Sequence, residues 1–210
     1  MIARYTRKEM GRIWSPENKF SKMMQVEIAV AQVQAKNKII PEKAAREIAK
    51  RAKFSVSRID EIEQTTKHDV IAFVSNLAEN VGESGKFIHY GLTSSDVLDT
   101  ALSLLIRDAG QELSKSISAL DKTLDGQSKK YAGTLCAGRT HGMHAEVTSF
   151  GVKLAGHLAE LRRHQLRFER AIKQCEIGKL SGAVGAYSTL SPKIENEVCV
   201  KLKLVPETIA

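Results

Sequence analysis

The residue best suited to proton chemistry is His141, which stands inside the segment G-R-T-H-G-M-H-A-E at 138–146. An imidazole can donate or accept a proton near neutral pH, and a glycine-flanked turn lets it reach a ligand. The alternative is a helix-capping turn with an incidental histidine. His144 follows three residues later, but no third ligand of suitable spacing accompanies the pair. We therefore predict no metal site. No cofactor is expected either.

A second group of polar residues lies in the loop G-K-F-I-H-Y-G-L-T-S-S-D at 85–96. Thr93 and Asp96 have the spacing of a capping box ahead of an apolar run. A helix is therefore expected to start here and to bury Leu98, Ala101, Leu102 and Leu105. Its first N–H groups would point back into the loop, beside His89, and could bind an anion.

Composition favours one or two helical domains in a globular chain. The 210 residues are 42% hydrophobic and 27% charged, with 14 glycines, four prolines and a net charge of +8. No apolar run approaches the roughly 20 residues that span a bilayer, and the N-terminus resembles no signal peptide. Three widely spaced cysteines suggest neither a disulfide framework nor a metal site, which favours a cytoplasmic location. The positive charge suits a polyanionic small molecule at least as well as a nucleic acid or a membrane surface.

Helical periodicity dominates and no alternating strand pattern is evident, so the fold class is predicted to be all-α. We expect short helices in an N-terminal domain at 1–110 and long antiparallel helices, the start of a bundle, at 111–210. Short helices are predicted at about 17–38, from Pro41 to about Ala52, from Ser57 and from a cap at Asp69 to Gly82. Ser191-Pro192 should open a last helix that carries Val198 and Leu202.

Two apolar stripes define the long helices. The first comprises Leu113, Ile117, Leu120, Leu124 and Tyr131. The second, within a helix predicted at 146–176, alternates steps of four and three, as helices do when they pack in bundles or coiled coils. We call it the heptad stripe, and it comprises Val147, Gly151, Leu154, Leu158, Leu161, Gln165, Phe168, Ile172 and Cys175. The small-residue run at 178–190 is either a ligand-binding backbone loop or a connector.

Three segments together resemble the fumarase/aspartase superfamily and, within it, the bacterial adenylosuccinate lyases. They read K-H-D-V-I-A-F at 67–73, H-Y-G-L-T-S-S-D at 89–96 and G-R-T-H-G-M-H-A-E-V-T-S-F-G at 138–151. The opening A-R-Y at 3–5 and the run G-K-L-S-G-A-V-G at 178–185 are also similar. The resemblance implies β-elimination of fumarate from adenylosuccinate to give AMP, and the same cleavage of the succinylaminoimidazole carboxamide ribotide in purine biosynthesis.

That resemblance also implies roles for individual residues. His141 would be the acid that protonates the departing nitrogen, and His68 a second active-site histidine that binds substrate and orients the acid. Thr93 and Ser94 would hold the succinyl portion, and Arg4 and Tyr5 the phosphate. The implied substrate-binding residues are Arg4, Tyr5, Lys67, Asp69, His89, Thr93 and Ser94. The family assembles its active sites from the subunits of a homotetramer, which implies a homo-oligomer here.

The family's mobile loop, roughly G-S-S-x-M-P-x-K-x-N, has no match in these 210 residues. We therefore expect the chain to hold the first part of a longer lyase and to release no measurable fumarate by itself. Three alternatives stay open at this point. They are another superfamily member such as argininosuccinate lyase, an inactive helical assembly module, and a nucleic-acid-binding protein.

Overall fold

A computed structural model of the chain describes residues 2–209. Eight α-helices dominate this part of the chain, which confirms the all-α prediction. The helices are α1 (Lys8–Ile13), α2 (Pro16–Lys36), α3 (Glu42–Arg51), α4 (Val56–Thr66), α5 (Asp69–Val81), α6 (Ser94–Lys130), α7 (Phe150–Cys175) and α8 (Pro192–Leu202). The strands are β1 (Leu135–Thr140), β2 (Met143–Ser149), β3 (Ile177–Gly178) and β4 (Val205–Pro206), and 3-10 turns lie at Ala3–Tyr5 and Glu83–Phe87.

The helix boundaries follow local capping. Ser15 accepts a hydrogen bond from the Asn18 N–H and Pro16 occupies the first turn of α2, since proline needs no N–H partner there. Gly82 ends α5 with φ of +84°, as predicted. Two predicted starts are corrected: Pro41 is the N-cap of α3 and Ser55, not Ser57, is the N-cap of α4.

Packing divides the chain into two units, 1–108 with 175–210, and 109–174. In the first unit α2 packs against α3, α4 and α8. Its core includes stacked Phe20 and Phe73, with ring centroids 5.5 Å apart, and the buried Val198 and Leu202 of α8. The predicted domain boundary at residue 110 stays a prediction. In the first turns of α6, Ala101 and Leu105 are buried as predicted, but Leu102 is 46% exposed.

The second unit contains the latter part of α6, a β-hairpin and most of α7. The prediction that the helix begins at residue 146 was wrong: α7 begins at Phe150, and residues 143–149 form β2, paired antiparallel with β1. The heptad stripe is buried or half-buried from Gly151 to Ile172, whereas Val147 and Cys175 are exposed. Along α6, Ile117, Leu124 and Tyr131 of the first stripe are half-buried, whereas Leu113 and Leu120 are 44% and 48% exposed.

Two glycines lie at close contacts in the second unit. A Cβ on Gly110 would lie 2.6 Å from Ile172, and one on Gly151 would lie 2.6 Å from the Ala132 Cα. The absence of a side chain at these two glycines therefore allows close packing within the second unit. No helix in the described part of the chain is long and apolar enough to cross a bilayer.

Candidate active site

His68 lies at the junction between α4 and α5. Lys67 ends α4 in the left-handed conformation, with φ of +50°, and His68 then turns extended to become the N-cap of α5. The backbone N–H of Ile71 donates to His68 Nδ1 at 3.4 Å. The predicted cap at Asp69 was therefore one residue late, because Asp69 is already helical and its carboxylate accepts from the Val70 N–H at 2.8 Å.

The second ring nitrogen of His68 faces Ser94. Nε2 lies 3.5 Å from the Ser94 hydroxyl oxygen, at the beginning of α6. Because Nδ1 accepts from a backbone N–H, the neutral imidazole carries its proton on Nε2. The fold thus brings His68, Asp69 and Ser94 together from two segments, and it presents a histidine N–H and a hydroxyl side by side. Lys19 lies 3.8 Å from the Asp69 carboxylate and adds a positive charge.

Thr93 and Ser94 lie where α6 exposes its first N–H groups. Asp96 Oδ2 accepts from the Thr93 N–H at 3.0 Å, which confirms the Thr93–Asp96 capping contact. The other oxygen, Oδ1, lies 3.2 Å from both Lys179 Nζ and the Gly182 N–H. Asp96 is fully buried, so Lys179 neutralises a charge that would otherwise be costly to bury.

Lys179 was not predicted as a functional residue from the sequence, although it lies in the run G-K-L-S-G-A-V-G at 178–185. Its ammonium donates to Ser95, Asp96 and the Gly182 carbonyl at 3.1–3.2 Å, so all three of its protons are used within the first unit. The Gly182 N–H is likewise bonded to Asp96. The segment at 178–185 therefore supports the start of α6. This favours a connector, and not a ligand-binding backbone loop, for the small-residue run.

A second buried carboxylate, Glu195 of α8, also binds this loop. It accepts from the Leu180 N–H and from the Tyr187 hydroxyl, each at 2.7 Å. The hydrogen bond to this carboxylate, together with partial burial, raises the pKa of Tyr187 to about 12. Burial also raises the pKa of the neighbouring Cys199 thiol to about 12.

His89 is held by Glu27, a residue whose role was not predicted from the sequence. Glu27 of α2 accepts from the His89 backbone N–H at 2.9 Å and lies 2.6 Å from His89 Nδ1. One signal could have revealed it: residues 20, 23, 27, 30 and 34 form a heptad pattern on α2, and the two polar members are Glu27 and Gln34. All five are buried.

Arg4 and Tyr5 form a pair in the short 3-10 turn at the N-terminus. The Arg4 guanidinium carbon lies 4.7 Å from the centre of the Tyr5 ring, a cation–π contact, and both residues are exposed. Lys67 is exposed as well. An exposed arginine held against an aromatic ring keeps its N–H groups free to meet an anion.

His141 lies in the second unit, at the tip of the β1–β2 hairpin. His141 and Gly142 have φ values of +53° and +73°, the left-handed pair that a two-residue type I′ turn requires. The imidazole is exposed.

His144, on β2, lies 3.4 Å from the Arg139 guanidinium. Within residues 2–209 no cluster of three or more histidine, cysteine or acidic side chains is arranged to hold a metal ion.

Comparison with known proteins defines the class. The family described as "Lyase" matches residues 3–209. The adenylosuccinate lyase of Staphylococcus saprophyticus is 44% identical over 204 residues, which are 97% of this chain and 47% of that protein. The adenylosuccinate lyase of Synechocystis sp. is 46% identical over 208 residues, 99% of this chain and 48% of that protein. The chain spans about half the length of these curated relatives.

Solved structures show the same similarity. The fumarate lyase of Mesorhizobium sp. BNC1 superposes with a TM-score of 0.90 at 31% identity, over 96% of this chain and 49% of that one. The 3-carboxy-cis,cis-muconate lactonizing enzyme of Pseudomonas putida gives 0.88 at 28% identity, over 98% and 49%. The chain therefore belongs to the lyase family, which confirms the resemblance seen in the sequence.

Proposed function

We propose that this chain supplies the first half of an adenylosuccinate lyase. The observation that carries the proposal is the 44–46% identity to proteins of that name along almost the whole chain. The reaction is β-elimination of fumarate from adenylosuccinate to give AMP, and from the succinylaminoimidazole carboxamide ribotide. We further propose a cytoplasmic enzyme that works as a homotetramer on these small nucleotides, without nucleic acid or membrane partners.

The chemistry explains the residue types. A base removes a weakly acidic proton from the carbon next to a carboxylate, and an acid protonates the departing nitrogen, which is a poor leaving group as an anion. We assign the acid to His141, whose exposed imidazole at the hairpin tip can reach a ligand. His68 is assigned to bind substrate and to orient the acid. The carbon base is assigned to a residue outside this chain.

Substrate recognition is assigned to the first unit. The substrate carries a phosphate and two carboxylates, so it needs donors of hydrogen bonds and positive charge. The start of α6 offers the hydroxyls of Thr93 and Ser94 together with the positive end of a helix dipole. Lys67 and His68 lie at the neighbouring junction, where Asp69 keeps Lys19 close. Arg4, Tyr5 and His89 are assigned to the phosphate.

A hybrid chain tests the assignment. Residues 3–209 replace the matching half of the S. saprophyticus relative, and the ultraviolet absorbance of adenylosuccinate is followed over time. We expect cleavage by the hybrid, and a rate lower by about 10²–10⁴-fold after H141Q, the typical contribution of a general acid. The control is H157Q, an exposed histidine of α7.

Parallel assays separate the alternatives. Cleavage of argininosuccinate in place of adenylosuccinate would assign the chain to that other lyase. A hybrid that light scattering shows to be a tetramer, but that cleaves neither substrate, would contradict the proposal. Binding of the 210-residue chain to duplex DNA, with an affinity that falls steeply with salt, would favour the nucleic-acid alternative.

One observation favours a second candidate, an inactive assembly module. The second unit exposes Leu113, Leu120, Val152 and Leu166, by between 44% and 62% of their surfaces. Such side chains on long helices can drive self-association. Stable oligomers of the 210-residue chain that are indifferent to AMP and adenylosuccinate would support this candidate over the enzyme.

A further inference from the structure

Two fully buried polar side chains of α2 hold the loop that carries His89. Glu27 Oε2 accepts from the His89 backbone N–H at 2.9 Å, and Gln34 Nε2 donates to the Tyr90 carbonyl at 2.7 Å. Glu27 is 2% exposed and Gln34 is not exposed at all. Between these anchors His89 has φ of +62°, a conformation that residues with a side chain rarely adopt. Such conformations persist only where the surroundings enforce them, and they are concentrated at functional sites.

The Glu27 carboxylate also determines which ring nitrogen of His89 carries a proton. Glu27 Oε1 lies 2.6 Å from His89 Nδ1, and an ionised carboxylate can only accept. Nδ1 is therefore protonated, which leaves Nε2 of the neutral ring bare. The His89 side chain is 22% exposed, and within the described residues its Nε2 makes no hydrogen bond. This nitrogen is free to meet a ligand.

We propose that Glu27 is a positioning residue that fixes the tautomer of His89 and makes anion binding at Nε2 depend on proton uptake. A bare Nε2 repels an anionic oxygen, so the ring must first take a proton from solvent and donate it. Glu27 balances the resulting positive charge, and within the described residues no lysine or arginine lies within ion-pair distance of this carboxylate. The identity of the anion, the phosphate of AMP, rests on the proposed function.

The tautomer is tested on the unliganded 210-residue chain by long-range ¹H–¹⁵N spectra of its histidine rings. A protonated and a bare ring nitrogen differ widely in ¹⁵N shift, and H89Q identifies the His89 signals. We expect protonated Nδ1 and bare Nε2 in the neutral ring. In E27Q the amide carbonyl accepts from the backbone while its NH₂ donates to Nδ1, so the proton should move to Nε2. A bare Nδ1 in the unaltered chain, or an unchanged tautomer in E27Q, would overturn the proposal.

Proton uptake is tested by titration calorimetry with AMP at pH 7.5 in buffers of different ionisation enthalpy. We expect the unaltered chain to take up protons on binding, and E27Q and H89Q to take up less than half as many. Equal uptake in the unaltered chain and E27Q would refute the coupling. If AMP does not bind the chain, the coupling fails, whereas the hybrid assay tests the proposed function separately and the spectra decide the tautomer.

A matched control separates positioning from a general loosening of the loop. Q34L removes the Tyr90 anchor but leaves Glu27 and His89 intact, so it should retain the tautomer and the proton uptake. If Q34L changed the spectra as E27Q does, Glu27 would be only a structural anchor and the proposal would fail. Trp14, the single tryptophan, lies in the first unit and reports by fluorescence that each variant is folded.

Discussion

Asp96 and Lys179 are 83 residues apart in sequence, yet they form an ion pair of 3.2 Å in the first unit. The Asp96 side chain is fully buried and that of Lys179 is 18% exposed. The Asp96 carboxylate also accepts hydrogen bonds from the backbone N–H groups of Thr93 and Gly182. One buried charge therefore ties the start of α6, where the proposed substrate hydroxyls lie, to the loop after α7.

Removing the Lys179 ammonium should leave the Asp96 carboxylate buried without an opposite charge. We expect K179M to lower the free energy of unfolding by about 3–5 kcal/mol. Urea titration followed by Trp14 fluorescence measures it. The control, K193M, removes an exposed helical pair with Glu197 and should cost less than about 1 kcal/mol. Equal effects of the two variants would show that the buried pair contributes no special stability.

Ser94 should contribute to nucleotide binding through its hydroxyl. We expect AMP to protect the backbone of Lys67–Asp69 and Thr93–Ser94 from hydrogen exchange in the hybrid enzyme. Since a hydrogen bond to a charged group is worth about 1.5–3 kcal/mol, S94A should weaken binding of adenylosuccinate, whose succinyl carboxylates Ser94 is assigned to hold, by roughly 10–100-fold. S116A, which alters an exposed serine of the same helix, should leave affinity unchanged. Protection elsewhere, without these segments, would contradict the assigned site.

Stability should fall at alkaline pH because the buried thiol of Cys199 and the hydrogen-bonded hydroxyl of Tyr187 resist ionisation. Burial raises the pKa of Cys199 from 9.0 to about 12, so between these values the folded state keeps a proton that the unfolded chain has lost. The free energy of unfolding therefore decreases as pH rises from about 9 to 12, and is insensitive to this thiol below pH 9. Tyr187, with a pKa also raised to about 12, acts in the same direction.

The variant C199A isolates the contribution of the thiol. Its free energy of unfolding, measured by urea titration at several pH values, should decline less steeply above pH 9 than that of the unaltered chain. Parallel curves for the two proteins would be inconsistent with a raised pKa at Cys199. The comparison cancels the titration of surface lysines, which both proteins share.

Two glycines of α7 should respond in opposite ways to alanine. A Cβ on Gly151 would lie 2.6 Å from the Ala132 Cα and would also meet the Ser128 carbonyl oxygen, so G151A should destabilise the second unit by about 1–3 kcal/mol. Gly156 has open space around it, and G156A should stabilise α7 by up to about 1 kcal/mol. Hydrogen exchange of the α7 amides measures both. A stabilising G151A would contradict the close helix approach.

The short helices could be predicted because their signals are local. The end of α5 at Gly82 and the Thr93–Asp96 contact depend on residues within one turn of each other. The β-hairpin could not be predicted in this way. Most residues of both strands are exposed, so burial imposes no alternation of apolar and polar residues on them. The pairing depends on backbone hydrogen bonds and on the left-handed turn at His141–Gly142.

Apolar spacing, helix caps and short sequence motifs were enough to determine the helical class and the lyase family. Each of these signals lies within a few neighbouring positions of the sequence. Tertiary structure alone decided which polar groups are buried and what they bind. Glu27 contacts His89, which lies 62 positions further along the chain, and no local sequence pattern predicts that contact. A charge enters a protein interior only where the fold supplies its hydrogen-bonding partner, and that partner comes from a distant part of the chain.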